Sequence, residues 1–220
     1  MNLAQRIKKF WENTNERNAH LGLSGEEDYL LERADVLVGK RMKVKDKTVI
    51  DFGCGGGYMG KYVLSHGAKK YIGFDIAERS INRAKETTAE FADRAQFILH
   101  NHTWDFPSLK PDILVCLAVM IHFPAKSYLD NFLASVNTCG AKNLVLEIRN
   151  KGNGTVMQPQ PYSEACFKAT PKTCLTCETS PEYVAERLPA YELTDQTDPV
   201  SAPTNCQVLW FRKKRESLPE

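Results

Sequence analysis

The stretch VIDFGCGGGYMG (residues 49–60) places five glycines and one aspartate directly after a short apolar run. Glycines at this density let the backbone approach a ligand closely, because no side chain stands in the way. A phosphate-binding loop of the form G-x-x-x-x-G-K-[ST] needs a hydroxyl residue after its lysine, and a tyrosine follows Lys61 here. We therefore exclude that loop. The dinucleotide pattern G-x-G-x-x-G remains, on Gly55, Gly57 and Gly60.

Asp51 discriminates between the ligands that such a loop can take. A dinucleotide pyrophosphate binds at a helix N-terminus among amide donors, and a carboxylate at the end of the preceding strand would repel it. A cationic ligand would be attracted by the same carboxylate. The segment VIDFGCGGG resembles the cofactor loop of class I S-adenosylmethionine-dependent methyltransferases. The resemblance implies that Asp51, Gly53, Gly55 and Gly57 hold the methionine end of S-adenosylmethionine.

Length and composition favour one α/β domain with an appendage. The chain has 220 residues and a formal net charge of +2, so it lacks the strong basic field of a general nucleic-acid binder. It contains no run of about 18 apolar residues, and its start lacks the apolar core of a signal peptide. We therefore expect a cytoplasmic protein with no membrane partner, and the charge disfavours a nucleic-acid partner but leaves a local basic patch open.

Apolar runs alternate with helical patterns along the chain, which is typical of a parallel sheet covered by helices on both faces. The chain ends on a closing pair of strands. Over residues 46–213 the resemblance implies a Rossmann-like, seven-stranded, mostly parallel sheet of order 3-2-1-4-5-7-6 with strand 7 antiparallel. Strands are predicted at residues 47–53, 71–76, 95–101, 111–117, 142–150, 190–197 and 205–213, and helices at 58–69, 77–92, 124–137 and 181–188.

The sequence predicts two parts, residues 1–45 and residues 46–220. The first part contains two amphipathic helical patterns. In the methyltransferases that the chain resembles, such a leader folds over the cofactor, which makes Trp11 and Tyr29 candidates for a lid. The second part is the methyltransferase domain. Within it, the proline-containing residues 151–180 break the alternation, and we interpret them as an insertion over the active-site face.

Asp75 closes the second predicted strand, 18 residues after Gly57. A carboxylate there can accept hydrogen bonds from both hydroxyls of a ribose, the alternative being a solvated acid at a strand end. The resemblance implies that Ile76 flanks the adenine. It aligns Asn101 with the position where the family usually has an acid for the adenine amino group, and an amide oxygen can also accept from that amine. The backbone amide of His102 is a further candidate for the ring edge.

The segment LAVMIHFP (residues 117–124) resembles one that in many small-molecule methyltransferases ends in a histidine near the methyl group. The resemblance implies that Leu117 and Ala118 line the cofactor and that His122 faces the acceptor. With a pKa near ~6.5, a histidine can take a proton from a hydroxyl or ammonium nucleophile. The alternative is a histidine packed at a strand–helix junction. Positioning alone can supply much of the rate, because the sulfonium leaving group is already activated.

The seven cysteines raise the question of a metal site. They are an odd number in a chain without an export signal, which favours reduced thiols over disulfides. Cys166, Cys174, Cys177 and Cys206 could close a zinc site, but their spacing lacks a second tight pair. The segment HNH (residues 100–102) offers two histidines, but no third ligand is marked nearby. We therefore expect no metal.

The function that these patterns favour is methyl transfer from S-adenosylmethionine to oxygen or nitrogen of a small polar metabolite. Enzymes of this class that methylate nucleic-acid amino groups carry (D/N)-P-P-(Y/F) after the fourth strand, and LAVMIHFP lacks it. Two alternatives stay open at this point. One is an RNA or protein methyltransferase, and the other is a non-catalytic scaffold that binds the cofactor without turnover.

Overall fold

The computed structural model of the protein describes residues 8, 11–12, 26–100, 106–123, 125–150, 177–198 and 206–215. These residues fall into two compact units. The first unit contains the described residues up to 100, and the second contains those from 106 onward. Among the described residues, no helix combines the length and apolar character that a bilayer span requires.

Seven strands form one sheet in the order β3-β2-β1-β4-β5-β7-β6, which confirms the predicted order. In the first unit, β1 pairs with β2 and β2 with β3, all in parallel. In the second unit, β4 and β5 are parallel, and β7 is antiparallel to both β5 and β6, as predicted. The strands are β1 (Thr48–Phe52), β2 (Lys70–Asp75), β3 (Ala95–Leu99), β4 (Ile113–Cys116), β5 (Asn143–Arg149), β6 (Tyr191–Gln196) and β7 (Cys206–Lys213).

Helices with fully described ranges accompany the strands of the first unit: α1 (Glu26–Ala34), α2 (Tyr58–Ser65) and α3 (Glu78–Thr87). A π-helical turn, Asp35–Gly39, continues α1, and the Tyr62 hydroxyl on α2 donates to the Asp35 carboxylate (2.6 Å). This bond ties α1 to α2.

Helix α3 is shorter than its predicted range of 77–92. It ends at Thr87, and the hydroxyl of Thr88 donates to the Ala84 carbonyl (2.8 Å). A separate 3₁₀ turn, Ala89–Phe91, follows. Two adjacent β-branched threonines disfavour helix, and a threonine hydroxyl that bonds the preceding turn competes with the backbone ladder. The helix prediction was therefore wrong at its C-terminal end.

The second unit contains helices α4 (Lys126–Thr138) and α5 (Pro181–Glu186). Ser180 caps α5 by accepting a hydrogen bond from the Tyr183 backbone N–H (3.2 Å). Asp130 on α4 accepts hydrogen bonds from the Tyr183 hydroxyl (2.5 Å) and Arg187 Nε (2.6 Å). Burial opposes its charge, but its bonds to Lys126, Tyr183 and Arg187 lower the pKa of Asp130 to about 2. This network fastens α5 to α4.

Several predictions concern residues outside the described part of the chain. They include Asn101, His102, Cys166, Cys174 and most of the predicted insertion. Of the predicted leader, residues 26–45 and three earlier helical residues are described. One of these, Glu12, accepts a hydrogen bond from the backbone N–H of Glu78 (2.8 Å). Tyr29 is 59% exposed.

Candidate active site

The glycine-rich loop connects β1 to α2 and is fastened to the end of β2. The backbone N–H groups of Gly53 and Cys54 both donate to the Phe74 carbonyl at 2.8 Å. The Gly57 N–H closes the turn on the Cys54 carbonyl (2.9 Å), and Gly57 is the N-cap of α2. The loop therefore has a fixed conformation at the carboxyl end of two parallel strands, where ligands of open α/β sheets bind.

The structure explains the glycine at each position of the loop in a different way. Gly57 has φ +82°, and a Cβ there would lie 2.8 Å from Ala84 Cα on α3. Gly60 gives space to a ring, since a Cβ there would lie 2.6 Å from Tyr71 Cε1. Gly55 has φ +49°, and no atom of the described residues lies within 4 Å of its would-be Cβ. Helix packing thus explains Gly57 and Gly60, whereas open space above Gly55 leaves room for a ligand.

Asp51 lies on β1 beside this loop and is 5% exposed. One carboxylate oxygen accepts a hydrogen bond from the Tyr71 hydroxyl (2.7 Å). Burial raises the pKa of Asp51 to about 7, the Tyr71 bond opposes this rise, and the charges of Asp75 and Arg33 act in opposite directions. Asp51 can therefore exist with or without its proton near neutral pH. A cationic partner would favour the charged form.

Asp75 ends β2 and joins the glycine loop to the start of α3. Its carboxylate accepts hydrogen bonds from the Gly55 N–H (3.0 Å) and the Ala77 N–H (2.9 Å). Burial raises the pKa of Asp75, and these backbone bonds oppose the rise. Ile76 follows in the same turn and is half-buried. The first unit thus brings together Asp51, the loop glycines, Asp75 and Ile76, all of which are predicted cofactor residues.

In the second unit, the turn after β4 has an unusual backbone. Ala118 is a non-glycine residue with φ +57°, a conformation that costs roughly 1–2 kcal/mol for an L-residue. Its N–H donates to the carboxylate of Glu147, a buried residue of β5 (2.5 Å). Strained backbone of this kind persists where its surroundings hold it, and it is frequent at functional sites. Leu117 and His122 lie on either side of Ala118, and both are half-buried.

His122 ends a 3₁₀ turn, Met120–His122, and its Nδ1 atom is buried. A second segment lies against this turn, because the Cys177 N–H donates to the Ile121 carbonyl (2.7 Å). We call residues 177–180 the strap. The Thr179 N–H donates to the Arg149 carbonyl (2.9 Å), so the strap joins the His122 turn to the end of β5.

The described residues contain no cluster of three or more metal-ligating side chains. Cys177 and Cys206 are buried free thiols. Burial raises the pKa of Cys177 to about 12, so its neutral thiol form is favoured. The other two cysteines of the zinc hypothesis lie outside the described residues.

Sequence reasoning missed two residues that shape these sites, Tyr71 and Glu147. Tyr71 reads as an ordinary apolar strand residue, yet its hydroxyl bonds Asp51 in a space left by Gly60. Glu147 is the one acid in the apolar run NLVLEIR. A charged residue in a strand buried on both faces needs a partner, and that pattern was the available signal.

Comparison with known protein families identifies the family of the chain. Residues 6–157 match the profile of the family described as "Methyltransferase domain". The chain belongs to the methyltransferase domain family. Class I members of this family use S-adenosylmethionine, so the predicted family, enzyme class and cofactor are confirmed at the level of the family.

Solved methyltransferases share the fold over almost the whole chain. Magnesium protoporphyrin IX methyltransferase from Synechocystis PCC 6803, solved with bound S-adenosylmethionine, has a TM-score of 0.68 and 14% identity, over 97% of this chain and 98% of that chain. The 1,6-didemethyltoxoflavin-N1-methyltransferase of Burkholderia thailandensis has a TM-score of 0.71 and 15% identity, over 96% of this chain and 89% of that chain. At such low sequence identities, the structural similarity shows a shared fold and does not identify the methyl acceptor.

Proteins related by sequence match shorter stretches of the chain than the solved structures do. A ribosomal protein L11 methyltransferase from Colwellia psychrerythraea is 39% identical over 77 residues, which are 34% of this chain and 25% of that protein. A ubiquinone biosynthesis O-methyltransferase from Proteus mirabilis is 29% identical over 103 residues, 46% of this chain and 38% of that protein. The chain thus spans a quarter to two-fifths of the length of these two relatives.

Proposed function

We propose that the protein transfers the methyl group of S-adenosylmethionine to an oxygen or nitrogen atom of a small polar metabolite. The observation that carries the proposal is the open, side-chain-free surface at Gly55, whose N–H is fixed by Asp75. The family membership and the two relatives that act on small molecules support it. The match to ribosomal protein L11 methyltransferases covers a quarter of their length, so protein methylation is kept as an outcome of the test.

The residues of the first unit fit the methionine and ribose parts of this cofactor. The buried Asp51 carboxylate offers a negative charge to the ammonium group of the methionine end. The Asp75 carboxylate accepts hydrogen bonds from the Gly55 and Ala77 N–H groups, and Ser80 and the Ile76 backbone are further donors to it. Ribose hydroxyls would replace part of this donor set when the cofactor binds. We assign the adenine to Ile76 and to Asn101 and His102.

We also propose that residues 1–45 act as a cap over the cofactor residues. Glu12 accepts a hydrogen bond from Glu78, three residues after Asp75. The charge of Arg33 on α1 lowers the pKa of Asp51, so α1 carries a positive group towards that carboxylate. Both contacts join the leader to the part of the first unit that holds the candidate cofactor residues. The insertion at about 151–180 is the second proposed cover of the active-site face.

His122 is the proposed general base, and Leu117 a cofactor contact. S-adenosylmethionine, when bound, supplies a methyl group that is activated by its positively charged sulfur. The Glu147 carboxylate fixes the Ala118 turn, and the strap holds the Ile121 carbonyl, so His122 has a defined position. Its imidazole can then accept the proton that an acceptor hydroxyl loses as its oxygen bonds the methyl carbon, or the proton that an ammonium group must lose before its nitrogen can attack.

Replacing His122 with alanine should lower the methyl-transfer rate by ~10²-fold or more and leave affinity for S-adenosylhomocysteine nearly unchanged. The measurement is a screen of phenols, amines and carboxylates, with RNA and ribosomal protein as further acceptors, using cofactor labelled in its methyl group. His66→Ala is the matched control, because His66 is exposed at the end of α2. Full turnover in the His122 variant would remove the base and leave catalysis to positioning. Cofactor binding without turnover on any acceptor would favour a scaffold.

A further inference from the structure

We propose that Arg149 binds a carboxylate group of the methyl acceptor. The inference rests on the proposed function and specifies its substrate class as an acceptor with an anionic carboxylate. Arg149 is the last residue of β5, and it lies at the carboxyl end of a strand that is parallel to β4. Ligands of open α/β sheets bind at that edge.

The neighbours of Arg149 place it beside the proposed catalytic turn. Side chains two residues apart on a strand share a face, so Arg149 and Glu147 project from the same side of β5, about 6.6 Å apart along the strand. Glu147 bonds the Ala118 N–H in the turn that leads to His122. The backbone of Arg149 forms an isolated parallel bridge with Glu178 of the strap. Cys177 of the same strap donates its N–H to the Ile121 carbonyl.

Arg149 has hydrogen-bonding capacity that the described residues do not use. Its side chain is half-buried, and the buried Nε atom makes no hydrogen bond within the described part of the chain. It also forms no ion pair with any residue that the structure describes, in contrast to Arg187, whose Nε lies 2.6 Å from Asp130. Buried polar atoms are nearly always hydrogen-bonded in native proteins, so such a donor requires an explanation.

The chemistry of the donor indicates the ligand. A guanidinium group stays charged at all relevant pH values and presents a planar fork that matches a carboxylate. Of the two neighbouring carboxylates, Glu147 accepts from the Ala118 N–H, and Glu178 has contacts with other groups, although its buried Oε2 atom makes no hydrogen bond within the described residues. Their negative charges would repel a dianion more strongly than a monoanion. We therefore assign a carboxylate rather than a phosphate.

The test is an NMR titration of the full chain in its complex with S-adenosylhomocysteine, observing the arginine Nε–H signals. The Arg149 signal is identified by its loss in Arg149→Lys. The probes are acetate, succinate and benzoate, each with its neutral amide, and inorganic phosphate. We expect the Arg149 signal to shift saturably with at least one carboxylate and to stay unchanged with the amides. Arg212, exposed on β7 opposite the amino end of β5, is the internal control and should not respond.

Each contrary result has a distinct meaning. No shift with any carboxylate at up to about 50 mM, or equal shifts with the amides, would overturn the inference and leave Arg149 as a counter-charge to Glu147 and Glu178. A stronger response to phosphate than to carboxylates would overturn the carboxylate assignment. Failure of S-adenosylhomocysteine to bind would contradict the proposed function itself. In a parallel acceptor screen, Arg149→Gln should raise KM at least tenfold for carboxylate acceptors only, whereas Arg212→Gln should not change it.

Discussion

Gly57→Ala should destabilise the protein by about 2–5 kcal/mol, whereas Gly55→Ala should destabilise it by only about 1–2 kcal/mol and yet weaken cofactor binding at least tenfold. At Gly57 the new Cβ would lie 2.8 Å from Ala84 Cα and 2.9 Å from Ala84 Cβ. These atoms belong to α3, which cannot move away without losing its packing on the sheet. Overpacking typically costs about 1–3 kcal/mol, and the left-handed backbone adds roughly 1–2 kcal/mol.

At Gly55 only the backbone term applies, because no described atom lies within 4 Å of the would-be Cβ. The new methyl group would instead occupy the space above the loop, which we assign to the ligand. Urea denaturation of both variants gives the stabilities, and calorimetry with S-adenosylhomocysteine gives the affinities. If Gly55→Ala kept the full affinity of the wild-type protein, the ligand would not approach the loop at this residue.

Affinity for S-adenosylhomocysteine should fall about 25-fold between pH 7.5 and pH 5.5. The pKa of Asp51 in the ligand-free protein is about 7, raised mainly by burial. With this pKa, the ionised fraction falls from about three-quarters at pH 7.5 to about 3% at pH 5.5. Only the ionised form offers a charge to the ligand ammonium group, so binding in this range should release a proton. Asp51→Asn should bind about tenfold or more weakly, with an affinity that is nearly independent of pH.

In the ligand-free protein, Asp51 makes the folding stability change with pH in the opposite direction to the ligand affinity. A carboxyl group whose folded pKa is raised from 3.8 to about 7 contributes stability that is fully present below about pH 4 and is lost as the pH rises to about 7. The increase in melting temperature caused by the ligand should therefore grow as the pH rises from 5.5 to 7.5. A wild-type affinity that does not change over this range, in protein that remains folded, would rule out Asp51 as the partner of the ammonium group.

The sequence predicted the sheet well because its signals are local. Alternating apolar and helical segments and the closing strand pair are read directly from the chain, and the seven strands occur at the predicted places in the predicted order. The end of α3 was missed because Thr88 uses its hydroxyl on Ala84, a local competition that helical periodicity does not register.

The candidate site was less accessible from sequence, because its decisive contacts join residues far apart in the chain. Asp51 was predicted from its position, but its raised pKa depends on burial that only the fold creates. The bond of Glu147 to Ala118 spans 29 residues, and that of Cys177 to Ile121 follows a segment with no clear pattern. A single glycine motif likewise cannot reveal that Gly57 serves packing while Gly55 faces open space.

The most direct test of the central claim is a calorimetric titration of the full chain with S-adenosylmethionine, S-adenosylhomocysteine, NAD and ATP. We expect saturable binding of the first two at one site and none of NAD or ATP, because Asp51 attracts an ammonium group and repels phosphates near the glycine loop. Tight binding of NAD, together with no binding of S-adenosylmethionine or S-adenosylhomocysteine, would contradict this expectation.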